Sequence, residues 1–291
     1  MEHSKYMSQI DIVKSSLFKH NDVFADITNA YVFQGRQMVK PEDLEDASSF
    51  IQFNGDDDVI YDKEGMITKF WKEGNLFFTL AIVNEAQKIM PVKALIHDGE
   101  LFNQQLSRNP DSIHAVLTIV VYLGKTHWNY GLNIEDAVYI PEYIEDDVKA
   151  VMNHYEINSL FEVSFLTEEQ VNMFKSDFKV VADYLVQMRE NKEYKPSDHV
   201  IHHVDEVLML MKELILENTG QKFIDELKAK GEPITMVSAY REVMERTRSE
   251  GRNEGRISVY YQDMKMSPET ISGKVNEPLE VVNKVIQSLK K

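Results

Sequence analysis

The chain has 291 residues, 43% of them hydrophobic, and carries a formal net charge of -16. This length and apolar content suffice for one large domain or two small ones. The absence of cysteine excludes disulfides, cysteine-ligated zinc fingers, iron-sulfur clusters and cysteine nucleophiles. No apolar run approaches the ~18 to 20 residues needed to cross a bilayer, and the first residues, MEHSKYMSQIDIVK, lack the apolar segment of a signal peptide. The sequence therefore predicts a cytoplasmic protein with no membrane partner.

Acidic and basic residues are unevenly distributed along the chain. Residues 241–291 contain 10 Lys+Arg and 8 Asp+Glu, whereas residues 1–240 contain 22 and 40. Because Lys and Arg neutralise DNA phosphates, the C-terminal stretch is the part whose charge suits DNA. The acidity of the remainder is at least as consistent with a simple role in solubility.

The spacing of apolar residues predicts an alternation of helices and strands in the first part of the chain. Such an alternation is typical of an α/β sheet covered by helices. The run at 114–123 is almost continuously apolar and rich in β-branched residues, as expected of a central strand buried on both faces. The predicted elements are a helix over 23–32, a helix beginning at Pro41, strands at 66–71 and 76–87, a helix over 91–106, and strands at 114–123 and 160–166.

Helical periodicity predominates beyond Thr167, and no further strand is predicted there. The helical stretches cover 167–190, 198–217 and 235–250. The next segment, EGRNEGR at 250–256, is polar and contains two glycines. It is either a hinge or the exposed end of a long helix.

The last residues predict two short helices. Ser267 suits the helix cap and Pro268 the first helical position, a turn is expected at 276–278, and LEVVNKVIQSL follows as an amphipathic helix. Two short helices with a tight turn suit helix-turn-helix DNA binding. They suit a helical hairpin used for self-association, and thus a homo-oligomer, equally well.

Several stretches of the sequence match those of a known family in order and spacing. They are FADITNAYVFQGRQMVKPEDLED (24–46), LAIVNEAQ with MPVKALIHDGELFNQQL (80–106), LTIVVYLGKTHW (117–128), LFEVSFLTEEQVNMFKSDFKVVADYLVQMRENKEY (160–194) and HHVDEVL (202–208). Together they resemble the PD-(D/E)XK nuclease-family transposases of the recombination-promoting nuclease type, as found in clostridia.

The resemblance implies a fold, a division of the chain and an activity. The fold is a restriction-endonuclease-like α/β domain with a mixed sheet flanked by helices, followed by a helical C-terminal region. The implied division is a nuclease-like domain at 8–166, a helical region at 167–250 and a two-helix tail at 251–291. The implied activity is Mg2+-dependent DNA cleavage associated with recombination or mobile elements, with DNA as the partner.

The family's active site combines an aspartate on one strand with an E-x-Q motif on the next. The matching residues here are Glu85 and Gln87, which would share one face of a strand because strand side chains alternate. The resemblance further implies a metal contact from the carbonyl of Ala86 and a phosphate contact from Lys93. The ion would be Mg2+ or Mn2+ bound by oxygen ligands, activating a water and stabilising charge on the scissile phosphate.

The sequence departs from the family pattern at the first strand. Residues 64–68, which precede Lys69-Phe70-Trp71, contain no aspartate at the expected position. Asp62 and Glu64 are the nearest acids that can substitute, or they belong to a solvated acidic loop. Two hypotheses follow. The chain is either a metal-dependent endonuclease with Glu85, Gln87 and one of these acids, or a non-catalytic remnant that binds DNA or a partner protein.

One further motif has the composition of a metal site. His199, His202 and His203 form H-x-x-H-H on a predicted helix, where His199 shares a face with the other two. Such spacing suits zinc, although a partly buried polar helix face explains it as well.

Overall fold

The structure, a computed structural model, describes residues 16–47, 65–190, 193–214 and 221–289. Contacts divide the chain into two compact units with the boundary between Met236 and Val237. The division at 8–166, 167–250 and 251–291 stays a prediction. Within the described ranges, no helix is both long and apolar enough to span a membrane.

The first unit is an α/β domain, as the sequence predicts. Its strands are β1 (Leu44–Asp46), β2 (Met66–Trp71), β3 (Leu76–Val83), β4 (Val116–Tyr122) and β5 (Leu160–Glu162). Its helices are α1 (Asn21–Tyr31), α2 (Met90–Arg108), α3 (Ile134–Ala137), α4 (Glu145–Lys149), α5 (Glu168–Val171), α6 (Phe178–Arg189), α7 (Val204–Leu214) and α8 (Gln221–Ala229). Short 3-10 turns lie at Pro41–Asp43, Glu142–Ile144 and Val163–Phe165.

The five strands form one mixed sheet whose spatial order equals their order in the chain. β1, β2 and β3 are antiparallel neighbours, and β4 and β5 continue in parallel with β3. The parallel pair β3–β4 requires a crossover connection, which α2 supplies. The predicted mixed sheet with flanking helices is therefore confirmed at this coarser level of description.

Helices cover both faces of the sheet. On one face, Phe24 of α1 lies 5.8 Å from the Lys69 ammonium group, and Phe33 contacts the rings of Trp71 and Phe78. On the other face, Leu101 of α2 packs in a buried cluster with Ala47, Phe70 and Phe77. β2 and β3 are thus buried on both sides, which explains why their sequences are almost continuously apolar.

The helix predicted to begin at Pro41 is wrong. Pro41–Asp43 is a single 3-10 turn that leads into β1. β1 takes strand conformation because it pairs with β2. Asp46 lies opposite Lys69 and accepts a 2.7 Å hydrogen bond from the Lys69 ammonium group. The side chain of Lys69 is almost fully buried. Because Lys69 is 23 residues beyond Asp46, this pairing cannot be inferred from residues 41–46 alone.

The second unit consists of helices. α9 (Met236–Ser258) begins at the boundary and continues as a π-helical turn, Val259–Asp263. α10 (Pro268–Val275) and α11 (Leu279–Ser288) follow as predicted, and Ser267 caps α10 by accepting a hydrogen bond from the Thr270 N–H. The segment 250–256 lies inside α9, so of the two alternatives it is part of a long helix.

Candidate functional site

The predicted metal-binding motif lies in a loop. β3 ends at Val83, which pairs with Tyr122, the last residue of β4. Glu85 is exposed, and Ala86 and Gln87 are half-buried, in the irregular segment between β3 and α2. The expectation that Glu85 and Gln87 share one face of a strand is therefore wrong, because the alternation of side chains ends where the strand ends.

This loop lines a small open cleft at the carboxyl ends of the parallel strands β3 and β4. The cleft has a volume of about 260 Å³ and is lined by Asn84, Glu85, Ala86, Tyr122, Gly124, Lys125, Thr126, Asn129 and Tyr130. Carboxyl ends of parallel strands are a common place for ligands in α/β proteins. Among the described residues that line the cleft, Glu85 is the only carboxylate.

An apolar cluster occupies the end of the sheet beside this cleft. Its buried members are Met66, Ala81, Val83, Met90, Ala94, Val120, Tyr122 and Ile157. Met66 opens β2 and pairs with Ala81 of β3, so neighbouring strand ends both carry apolar side chains here. Mg2+ binds through oxygen ligands, usually including one or two carboxylates. At this edge the described residues of β2 and β3 supply apolar groups instead, and the carboxylate of Glu162 at the end of β5 accepts a hydrogen bond from the Trp128 N–H.

The remaining predicted site residues are Asp62, Glu64 and Lys93. Asp62 and Glu64 lie outside the described residues. Lys93 lies in the first turn of α2 and is half-buried. The structure thus places Glu85, Ala86 and Gln87 together only because they are neighbours in the chain.

A buried polar cluster that sequence reasoning missed lies between the sheet and α2. His97 Nε2 is 2.9 Å from Thr68 Oγ1 and 3.1 Å from Thr79 Oγ1, and the two hydroxyls are 2.9 Å apart. The threonines are cross-strand partners in β2 and β3. Burial lowers the pKa of His97 to about 4, so the imidazole is neutral at physiological pH. The cluster is closed to solvent and holds α2 on the sheet.

Asp98, the next residue of α2, forms a second polar cluster. Its carboxylate accepts hydrogen bonds of 2.6 Å from the Thr118 hydroxyl and 2.9 Å from the Tyr155 hydroxyl. Burial raises the pKa of Asp98, although both hydrogen bonds act to lower it. The pKa of Tyr155 is also raised, chiefly by burial and to a smaller extent by the nearby Asp98 carboxylate. These interactions tie α2 to β4 and to the segment before β5.

The H-x-x-H-H motif does not lie on a helix, contrary to prediction. His199, His202 and His203 belong to the irregular segment before α7, which begins at Val204. Their common partner is the fully buried Asp177, whose carboxylate accepts hydrogen bonds from His199 Nε2 and from the N–H groups of His202 and His203.

The pKa of Asp177 reflects these contacts. Burial alone would raise it, but the hydrogen bond from His199 and those from the two backbone N–H groups outweigh burial and hold the pKa of Asp177 below its usual value. The carboxylate therefore remains ionised and satisfies N–H groups at the start of α7, as a capping side chain does.

The second unit presents a polar surface on α11. α10 ends at Val275, and the left-handed conformation of the next residue, Asn276 (φ 57°, ψ 42°), turns the chain into α11. Ile257, Ile271, Val275, Val282 and Ile286 form the buried core that holds α10 and α11 together. The opposite face of α11 exposes Glu280, Asn283, Lys284 and Gln287. This spacing of 3, 4 and 7 residues places all four side chains on one stripe, which we name the α11 polar stripe.

Comparison of the sequence with models of protein families, with curated proteins and with solved structures found no match.

Proposed function

We propose that this chain is a DNA-binding protein that contacts the duplex through α11, and that its nuclease-like α/β unit does not cleave DNA. The observation that carries the proposal is the α11 polar stripe, held outward by a tight turn on an apolar core. Of the hypotheses drawn from the sequence, this is the non-catalytic one with DNA as the partner.

The second unit has two short helices, α10 and α11, joined by a tight turn, and this arrangement supports insertion of α11 into the major groove. In a helix-turn-helix, the second helix enters the groove and presents side chains to the base edges. Asn and Gln side chains bind adenine, and Lys binds guanine, through hydrogen bonds in that groove. Asn283, Lys284 and Gln287 supply these groups on one exposed face.

Basic side chains of α9, in the same unit, suit phosphate contacts. The described part of α9 carries exposed Arg241, Arg248, Arg252 and Arg256. Arg256 also donates a 2.9 Å hydrogen bond to the carbonyl of Lys274 in α10. Phosphate contacts position a protein on DNA without reading its sequence, so these residues complement the stripe.

The non-catalytic part of the proposal rests on the strand ends near Glu85. The described side chains at the neighbouring ends of β2 and β3 are apolar, and Glu85 itself is exposed in the loop that follows β3. A single carboxylate with neutral oxygens holds Mg2+ weakly.

Fluorescence anisotropy with a labelled duplex tests DNA binding. The probe is a random-sequence duplex pool from which bound species are selected, since the target sequence is unknown. We expect Kd to rise steeply with salt, and Lys284→Glu to weaken binding of a selected duplex roughly tenfold or more. Lys222→Glu, an exposed substitution of the same charge change in α8, serves as the matched control.

The amide side chains provide a sharper readout. Asn283→Ala and Gln287→Ala should reduce the preference for selected over random duplex, at about 1 to 3 kcal/mol per lost base contact. Absence of binding at low salt, with a dimer in light scattering that Lys284→Glu dissociates, would favour the self-association hypothesis instead.

A plasmid-nicking assay with Mg2+ and with Mn2+ tests the nuclease hypothesis. We expect no nicking, and no shift in Tm on addition of Mg2+, because Glu85 is the only carboxylate among the described residues that line the cleft. Metal-dependent nicking that Glu85→Ala abolishes would establish the endonuclease and overturn the non-catalytic proposal.

A further inference from the structure

Two segments distant in the sequence bring three metal-binding side chains together in the first unit. His20 immediately precedes α1, Asp22 lies in its first turn, and His203 immediately precedes α7. One ligand atom from each lies within 4.8 Å of the other two. Across the part of the chain that the structure describes, this is the single cluster of three His, Asp or Glu residues that is so closely spaced.

The contacts within the cluster are short and involve a second carboxylate. His203 Nε2 lies 2.9 Å from both carboxylate oxygens of Asp22. The rings of His20 and His203 stack with centroids 3.7 Å apart. His20 Nε2 lies 3.2 Å from a carboxylate oxygen of Glu206. Glu206 therefore contacts His20 but lies outside the group of three closely spaced ligand atoms.

We propose that His20, Asp22 and His203 bind a Zn2+ ion, with Glu206 or a water in the fourth position. Imidazole nitrogens with a carboxylate oxygen are ligands that zinc accepts, whereas Mg2+ prefers oxygen alone. Two neutral imidazoles and two carboxylates carry a charge that one divalent cation neutralises.

Zinc binding requires the side chains to rearrange within the cluster. Ligand atoms around a tetrahedral zinc lie about 3.3 Å apart, given metal-ligand bonds of about 2.0 to 2.1 Å. The His203–Asp22 pair is already closer than this, and the two stacked imidazole rings would have to turn apart so that a nitrogen of each faces the ion. The side chains of His20 and Asp22 are 33% and 42% exposed, which leaves the ion a path from solvent.

The backbone on one side of the site is held in place by buried groups. The N–H of His203 donates a 2.6 Å hydrogen bond to the fully buried carboxylate of Asp177. A ligand whose backbone is fixed in this way loses less entropy when the ion binds. The ion would join the start of α1 to the start of α7, and its binding free energy would add to the stability of the fold.

Isothermal titration of the chelator-treated full chain with ZnCl2 tests the proposal. We expect about one Zn2+ per chain, a rise in Tm with Zn2+, and no such rise with the same concentration of Mg2+. His20→Ala and His203→Ala should each weaken binding roughly tenfold or more, and Asp22→Asn should do the same with little change in shape. Affinity should fall at acid pH, because imidazole binds metal only when neutral.

His154→Ala provides the matched control. His154 lies 3.6 Å from Glu135 and 3.5 Å from Glu156, and among the described residues it belongs to no cluster with a second imidazole. The His154→Ala substitution should leave the affinity for Zn2+ unchanged. Failure of the wild-type chain to bind a stoichiometric Zn2+, or equal losses from His154→Ala and His20→Ala, would overturn the site. Because neither result involves DNA, this test is independent of the proposed function.

Discussion

Asp177→Ala should lower the free energy of unfolding by roughly 3 kcal/mol. The carboxylate is fully buried and accepts hydrogen bonds from the backbone of His202 and His203 and from the ring of His199. Alanine leaves the two N–H groups at the start of α7 without this acceptor, and the free energy lost includes the cost of keeping them desolvated. Chemical denaturation monitored by circular dichroism measures the change.

Asp198→Ala is the control, because Asp198 is exposed in the same irregular segment. A surface change of this kind typically alters stability by less than about 0.5 kcal/mol. Because the pKa of Asp177 is lowered in the fold, its stabilising contribution is present above the unfolded pKa and is lost as pH falls through the folded one. Equal effects of the two substitutions at pH 7 would show that Asp177 does not hold α7.

His97 should make the protein less stable in mildly acidic solution. Its pKa is lowered to about 4 by burial, against about 6.5 in the unfolded chain. The unfolded state therefore binds a proton first, and stability falls as pH decreases from about 6.5 to about 4. A pKa shift of this size corresponds to a loss of roughly 3 kcal/mol in the free energy of unfolding once the pH has fallen to about 4. Urea unfolding at a series of pH values measures the slope.

His97→Gln isolates this contribution, because glutamine keeps a hydrogen-bonding side chain that does not titrate. Asp98 and Asp183, whose pKa values burial raises, act in the opposite direction on acidification. They are present in both proteins, so the difference between the two pH profiles reports on His97. A variant that loses stability as steeply as the wild type between pH 6.5 and pH 4 would contradict the prediction.

Most elements of the fold were predictable, because their patterns are local. The apolar runs at 66–71 and 114–123 are buried strands, and Ser267 with Pro268 begins a capped helix as expected. The sequence predictions omitted α8, although Phe223, Ile224 and Leu227 have helical spacing and are buried. β1 was missed for a different reason, since its strand conformation depends on pairing with β2.

The polar sites were predicted less well, because their partners come from distant segments. The strand at 76–87 was extended four residues too far, which placed Glu85 and Gln87 on a strand face that ends at Val83. His203 meets Asp22 across 181 positions of the chain, and Asp177 meets the backbone of His203 across 26. The sequence shows Thr68 and Thr79 as polar residues within apolar strands. Their contact with His97 could not be predicted, because it depends on how α2 packs on the sheet.

The shortness of the outer strands has a consequence for aggregation. Within the described residues, β1 and β5 at the two edges of the sheet are three residues long each, whereas the central strands have six to eight. An edge strand exposes backbone N–H and C=O groups that can pair with another chain. Edges this short offer few such groups, so concentrated solutions of the folded protein should resist amyloid-like association between sheets.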